Sequence, residues 1–190
     1  MNRSALILFP RSLPPGGSVH ALVPFLADLE LLGDAFDYHG VVHHGAGEQF
    51  VEYVTFLGCI PHLVLDVEEG MREDSHAFVH LEVRESAGSG GWITSRNSLP
   101  PRCPTCRKPH RAWRESITEI NADASADLEC PHCASRTPVG CWNWKHHAGP
   151  DTVSIWVWGV FPSEGIPSPT LLSRLAELGW GDWDYFYRQS

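Results

Sequence analysis

Apolar residues run together, or alternate with polar ones, in six stretches of this chain, and each predicts a strand. Ala5-Leu6-Ile7-Leu8-Phe9 is a continuous apolar run closed by Pro10, the pattern of a buried strand. Residues 62–68 and 76–84 alternate, with Leu63, Leu65 and Val67, then Val79, Leu81 and Val83, on one face. The loop 71–75 between them predicts a hairpin. Residues 92–95 form a short fourth stretch. In residues 152–161, the clearest of the six, Val153, Ile155 and Val157 oppose Trp156 and Trp158. Residues 183–188 alternate as a last strand.

Helical spacing appears three times. Ser18 is placed to cap a helix reaching residue 32, with Gly33 as its stop and Pro24 as a kink or true first turn. Phe50, Val54 and Leu57 predict a helix over 47–57, ended by Gly58 and Pro61. Ser168-Pro169 reads as an N-cap followed by Pro at the first helical position, and Leu171, Leu172, Leu175 and Leu178 carry that helix to Gly179. The order predicts an α+β fold, a mostly antiparallel sheet with helices on one face. It is loosely similar to the ferredoxin-like split βαβ pattern.

At 190 residues and 43 % hydrophobic, the chain can bury one main core and a small second unit. No apolar run approaches the roughly 20 residues needed to span a bilayer, so no membrane partner is expected.

That second unit announces itself through its cysteines. Cys103-Pro-Thr-Cys106 and Cys130-Pro-His-Cys133 are separated by 23 residues. Each pair can wrap a tight turn that points both sulfurs at one tetrahedral ion, and a Pro after the first Cys stiffens each turn. The segment resembles a zinc ribbon, which implies a structural Zn²⁺ held by Cys103, Cys106, Cys130 and Cys133. A thiol redox site would use one such pair at a helix start after a strand, and both pairs here follow loop residues. A disulfide framework is disfavoured by six Cys in a chain of this length and by the lack of a secretory pattern before Arg11. Reduced thiols predict a cytoplasmic protein. The expected organisation is therefore an α+β domain of residues 1–98 and 146–190 with a zinc ribbon of residues 99–145 inserted.

Net charge is −9, which argues against nucleic acid as the main partner. The charge is unevenly spread. Residues 96–145 carry eight Lys and Arg against five carboxylates, a local +3, leaving −12 elsewhere. These cations offset the negative charge of four thiolates, or else serve an anionic partner through Arg107, Lys108, Arg111 and Arg114. Trp113, Trp142 and Trp144 flank the cysteines, either as the core of the ribbon or as a stacking surface for nucleobases.

Other constellations are weaker. His80-Leu81-Glu82 followed by Pro101-Arg102-Cys103 shares residue types with the His-x-Glu … Pro-Cys-x-x-Cys signature of zinc nucleobase deaminases. Arg102 breaks the spacing, and the second Cys pair closes the coordination sphere. His80 and Glu82 are therefore expected on the sheet surface. His39, His43 and His44 with Glu48 read as a surface loop, Cys59 as a buried thiol, and Cys141 with His146 and His147 as a minor source of a replacement ligand. Gly16-Gly17-Ser18 reads as a plain turn rather than an anion site. No nucleophile–base set stands out. The sequence thus predicts a non-enzymatic adaptor or accessory subunit working through contacts with another protein. A nucleic-acid-associated protein using the basic ribbon, and an enzyme with a purely structural zinc, are the alternatives.

Overall fold

A computed structural model of the protein describes residues 4–11, 17–57, 63–73, 77–86 and 91–189. Along the chain these form β1 (Ser4–Pro10), α1 (Val19–Asp28), β2 (Leu32–Tyr38), β3 (Val41–Ala46), α2 (Phe50–Tyr53), β4 (Val54–Phe56), α3 (Val67–Glu73) and β5 (His80–Arg84). There follow β6 (Gly91–Ile93), α4 (Trp113–Glu119), β7 (Asp127–Glu129), β8 (Arg136–Pro138) and β9 (Gly149–Asp151). The chain closes with β10 (Ser154–Trp158), β11 (Gly165–Pro167), α5 (Pro169–Ala176) and β12 (Trp183–Gln189).

Six strands make one antiparallel sheet in the order β12-β1-β10-β5-β3-β2. Taken alone, β1, β5, β10 and β12 lie across the sheet as β12-β1-β10-β5, the chain order fourth, first, third, second, with α1 after β1 and α5 before β12. That is the split βαβ arrangement. The β2–β3 hairpin extends it at one edge, and the cysteine-bearing segment leaves from β5 and returns to β10.

The two faces of the sheet are covered differently. Leu6, Leu8, Leu81, Ile155 and Val157 pack against Leu22 and Leu26 of α1 and Leu171 and Leu175 of α5. On the opposite face Ala5, Ile7, Trp156 and Phe186 are buried together, with Ile93 packed against them. The alternation foreseen in 152–161 is thus real, and its two Trp residues lie away from the helices.

Several expected elements differ. The first helix stops at Asp28, not residue 32. Leu31 N–H bonds the Leu26 carbonyl at 3.1 Å and Glu30 N–H the Ala27 carbonyl at 2.8 Å, with Glu30 left-handed at φ 55°. This is a Schellman stop made without glycine. Gly33 instead lies inside β2, where a Cβ would meet the Ala46 carbonyl oxygen at 2.9 Å. Ser18 is the N-cap residue but makes no side-chain cap bond; the Glu85 carboxylate accepts from Val19 N–H at 3.2 Å.

The helix expected over 47–57 is one turn followed by β4, which pairs with β11. The strand expected over 62–68 gives way to α3, because Asp66 accepts from Glu69 N–H at 2.8 Å and starts a helix. Val64 then bridges Phe78 in parallel, so the expected hairpin is absent. His43 and His44 lie on β3, not in a loop; the turn is at His39 and Gly40, with φ of 54° and 81°. Two successive positive φ values suit the tight hairpin turn that matches strand twist.

The cysteine-bearing segment has its own apolar cluster, in which Trp92, Trp113, Ile117, Leu128, Val139, Trp142 and Trp144 surround Cys103 and Cys130. The stalk β6–β9 leads into it. Beyond the stalk, the segment lies along the outer edge of β12. Arg96 N–H bonds the Gln189 carbonyl at 3.2 Å, Gln189 N–H bonds Asn97 Oδ1 at 3.1 Å, and Tyr187 N–H bonds the His146 carbonyl at 2.9 Å.

Candidate metal centre

Each Cys pair sits in a turn with the same hydrogen-bond plan. Cys103 N–H donates to the Lys108 carbonyl at 3.0 Å and the Cys103 carbonyl accepts from Arg107 N–H at 2.9 Å. In the second turn Cys130 N–H donates to the Ser135 carbonyl at 2.9 Å, and the Cys130 carbonyl accepts from Ala134 N–H at 2.9 Å. Arg107 and Ala134 are the matching left-handed residues, at φ 59° and 55°. Two equivalent turns facing each other bring their sulfurs to one point. The β7–β8 hairpin, closed by the Arg136–Glu129 ion pair at 2.7 Å, holds the second turn.

The four sulfurs lie within 4.8 Å of one another. Cys103 Sγ stands 3.8 Å from Cys133 Sγ, and Cys106 Sγ stands 3.6 Å from Cys130 Sγ. A disulfide would bring sulfurs to about 2.05 Å, so these are thiols. A tetrahedron with metal–sulfur bonds of about 2.3 Å has edges of about 3.8 Å, which is what both cross-pair distances approach. The site is thus of the right size for one tetrahedral ion, and each turn contributes one buried sulfur, Cys103 and Cys130.

The electrostatics point the same way. Burial raises the Cys103 thiol, but the Ser135 hydroxyl and the backbone N–H groups of Cys106 and Thr105 outweigh it and bring it down to about 5. Cys133 is lowered too, first by the Ser135 hydroxyl and then by the Ser135 N–H. Cys106 receives a lowering bond from Lys108 N–H, yet burial and the three neighbouring sulfurs push it up to about 11. Four thiols at these distances cannot all ionise against their mutual repulsion unless a cation shares the charge. Ser135, within 3.2 Å of Cys133 Sγ and 3.5 Å of Cys103 Sγ, escaped the sequence reading. A hydroxyl two residues after a ligand has no signature of its own.

The remaining candidates do not join this site. Among the described residues the four cysteines are the one group of three or more His, Cys, Asp or Glu close enough to hold an ion. Cys141 is exposed and outside it, and His146 instead donates from Nδ1 to the Tyr185 carbonyl at 2.7 Å. Cys59 and Gly16 lie outside the described residues. His39 and Glu48 are exposed, and His44 Nδ1 is 3.3 Å from the Gly33 carbonyl.

His43, His80 and Glu82 are buried, which corrects the expectation of a surface loop for the first and a sheet surface for the others. The reason is register. His80 and Glu82 pair with Trp158 and Trp156 on the face away from the helices, and His43 Nε2 comes to 3.9 Å from Glu82 Oε2. Glu82 accepts bonds from Arg84 Nε at 2.5 Å and Trp158 Nε1 at 3.0 Å.

The three Trp residues flanking the cysteines are core. Trp113, Trp142 and Trp144 are 3–5 % exposed, and the indole N–H groups of Trp142 and Trp144 bond the Thr137 and Val139 carbonyls at 3.4 and 3.0 Å. They offer no free ring face for nucleobases. By contrast Arg107, Lys108, Arg111 and Arg114 are all exposed. None of the four has a carboxylate partner among the ion pairs of the described residues.

No helix among the described residues is long and apolar enough to cross a membrane. Compared with protein-family models, curated proteins and solved structures, the chain matches none.

Proposed function

We propose that Cys103, Cys106, Cys130 and Cys133 hold one Zn²⁺ in a purely structural role. The zinc-pinned segment 99–145, inserted in an α+β domain of residues 1–98 and 146–190, then serves as a non-enzymatic adaptor that meets another protein. The convergence of four sulfurs with no histidine or carboxylate among them is the observation that carries this reading. Four thiolates complete a tetrahedral sphere, leave no position for a reacting water and make the ion a poor Lewis acid. A reducing compartment, the cytoplasm, is the setting in which such thiols stay available.

The partner-facing side is the basic one. Arg107, Lys108, Arg111 and Arg114 stand exposed and unpaired with carboxylates on a chain of net charge −9, so an acidic protein surface is the complement they fit. Burial of the three neighbouring Trp residues favours this over single-stranded nucleic acid, which would use such rings as stacking platforms.

The test has two arms. Metal analysis of the purified protein should find one zinc per chain, lost on Cys130→Ser. Capture from lysate should then compare the wild type with a variant in which Arg107, Lys108, Arg111 and Arg114 are all replaced by Gln. An adaptor of this kind loses its partner in the variant while keeping its zinc. Retention of every captured protein by the variant, or binding of single-stranded RNA with a log–log salt slope of roughly −0.7 per phosphate, would replace the reading.

A further inference from the structure

Where the cysteine-bearing segment lies against the sheet, a crevice of about 590 Å³ opens between them. That volume is inside the roughly 300–1,000 Å³ range of small-molecule sites, which favour such junctions between units. We propose that this crevice binds a small aromatic anion: a planar ring carrying one carboxylate or phosphate.

The apolar part is rigid. Trp142 and Trp144 line the crevice, are nearly fully buried, and have their indole N–H groups fixed on backbone carbonyls. Tyr185 of β12 lines it from the sheet side, stacked on the His146 imidazole with centroids 4.3 Å apart and planes 9° from parallel. Tyr185, half-buried, is the ring with surface left for a flat ligand, and the two buried indoles give the crevice a fixed apolar wall that loses no side-chain freedom on binding.

The polar part is cationic and already sorted. Asp184 is committed: Oδ2 accepts from Arg11 at 2.8 Å and Oδ1 accepts from Tyr185 N–H at 2.8 Å. Lys145 is exposed, lines the crevice and has no carboxylate within ion-pair distance among the described residues. His146 donates through Nδ1 to the Tyr185 carbonyl, so its Nε2 is the nitrogen left for a ligand. Arg11 and Lys145 against Asp184 leave a net positive lining in an acidic protein.

The backbone beside these two groups is also unusual. Lys145 and His146 are both left-handed, at φ 51° and 59°, and neither is glycine. Such conformations persist only where surrounding structure enforces them, and they gather at ligand clamps. Here Asn143 Oδ1 holds Lys145 N–H at 3.0 Å, while His146 is tied to β12 on both its ring and its carbonyl.

The test uses the full zinc-loaded chain and tryptophan fluorescence, with adenosine monophosphate against adenosine, and indole-3-acetate against indole. At least one anionic probe should bind about tenfold tighter than its neutral partner, the size of one charge-assisted hydrogen bond. Which anion binds identifies the source as phosphate or carboxylate. Lys145→Asn removes the cation while keeping a residue that tolerates the left-handed backbone, and it should abolish most of that preference without moving the melting temperature. Gly140, also in the lining, has only Trp92 Cζ3 near its Cβ position, at 3.8 Å. Gly140→Leu should therefore fill the crevice and block both members of a pair. Absence of binding by both anions at millimolar concentration, or binding indifferent to both substitutions, overturns the proposal.

Discussion

Trp158 and Glu82 meet across neighbouring strands, the indole Nε1 of β10 donating to the carboxylate of β5 at 3.0 Å. The carboxylate is 4 % exposed and also holds the Arg84 guanidinium, which lies 4.1 Å above the Trp156 ring. Removing it strands two donors at once. Glu82→Ala should lose about 1–3 kcal/mol of stability, because the part-buried Trp158 indole N–H loses its acceptor and the half-exposed Arg84 loses a charged one. Glu82→Gln, which keeps an acceptor for one donor, should lose less. Urea denaturation checks both, and an unchanged midpoint for the Ala variant would show that solvent already satisfies these groups.

Chelation should unfold one part of the protein and spare the other. A structural zinc at the proposed site would contribute about 10–16 kcal/mol of apparent binding energy to its own segment. The sheet and helices share a separate apolar cluster built on Leu6, Leu8, Leu22, Leu26, Ile155 and Leu171. Adding a strong chelator, or Cys130→Ser, should red-shift the emission of Trp113, Trp142 and Trp144. The amide exchange protection of β1 and β10 should survive. A single cooperative loss of both would show that the two clusters fold as one.

How much of this was legible beforehand depended on how local each determinant was. The cysteine site was read correctly as a cluster because each pair carries its geometry within four residues. So were β1, β10, β12 and α5, whose apolar run, alternation or helical spacing in the sequence is not interrupted by a competing local signal. Residues 62–68 were misread because Leu63, Leu65 and Val67 alternate until Asp66 caps a helix, and the cap bond outweighs the period. The burial of Glu82 had no local trace. Its indole donor is 76 residues away, and only the register between β5 and β10 brings the two together.

Acid should destabilise the protein through His147. Burial first, then the charges of His146 and Lys145, hold its imidazole below the ordinary value of about 6.5, and the Asn97 amide is within 3.5 Å of Nδ1. The unfolded chain therefore takes up a proton near pH 6.5 that the folded chain resists. Stability is full above that pH and falls as pH drops below it. His110, lowered mainly by burial, acts in the same direction. Denaturation at pH 7.5 and 5.5 should show a smaller pH loss for His147→Gln than for the wild type. An equal loss would assign the effect to other groups.

The second metal turn offers a stabilising substitution. Ala134 is exposed and left-handed at φ 55°, where a Cβ is strained. Ala134→Gly relieves that strain at the expense of a freer unfolded chain, for a net gain of about 0.5–1 kcal/mol. The melting temperature of the metal-loaded protein should rise, and a fall would mean the turn depends on the methyl group.

Arg96, Asn97 and His146, just outside the two ends of residues 99–145, bond to β12 and cover its outer edge. A bare outer strand is a template on which other chains can add. Metal starvation that loosens the segment would uncover the backbone of residues 185–189 along one side. Metal supply would then set not only the shape of the small segment but whether copies of the protein begin to add strand to strand.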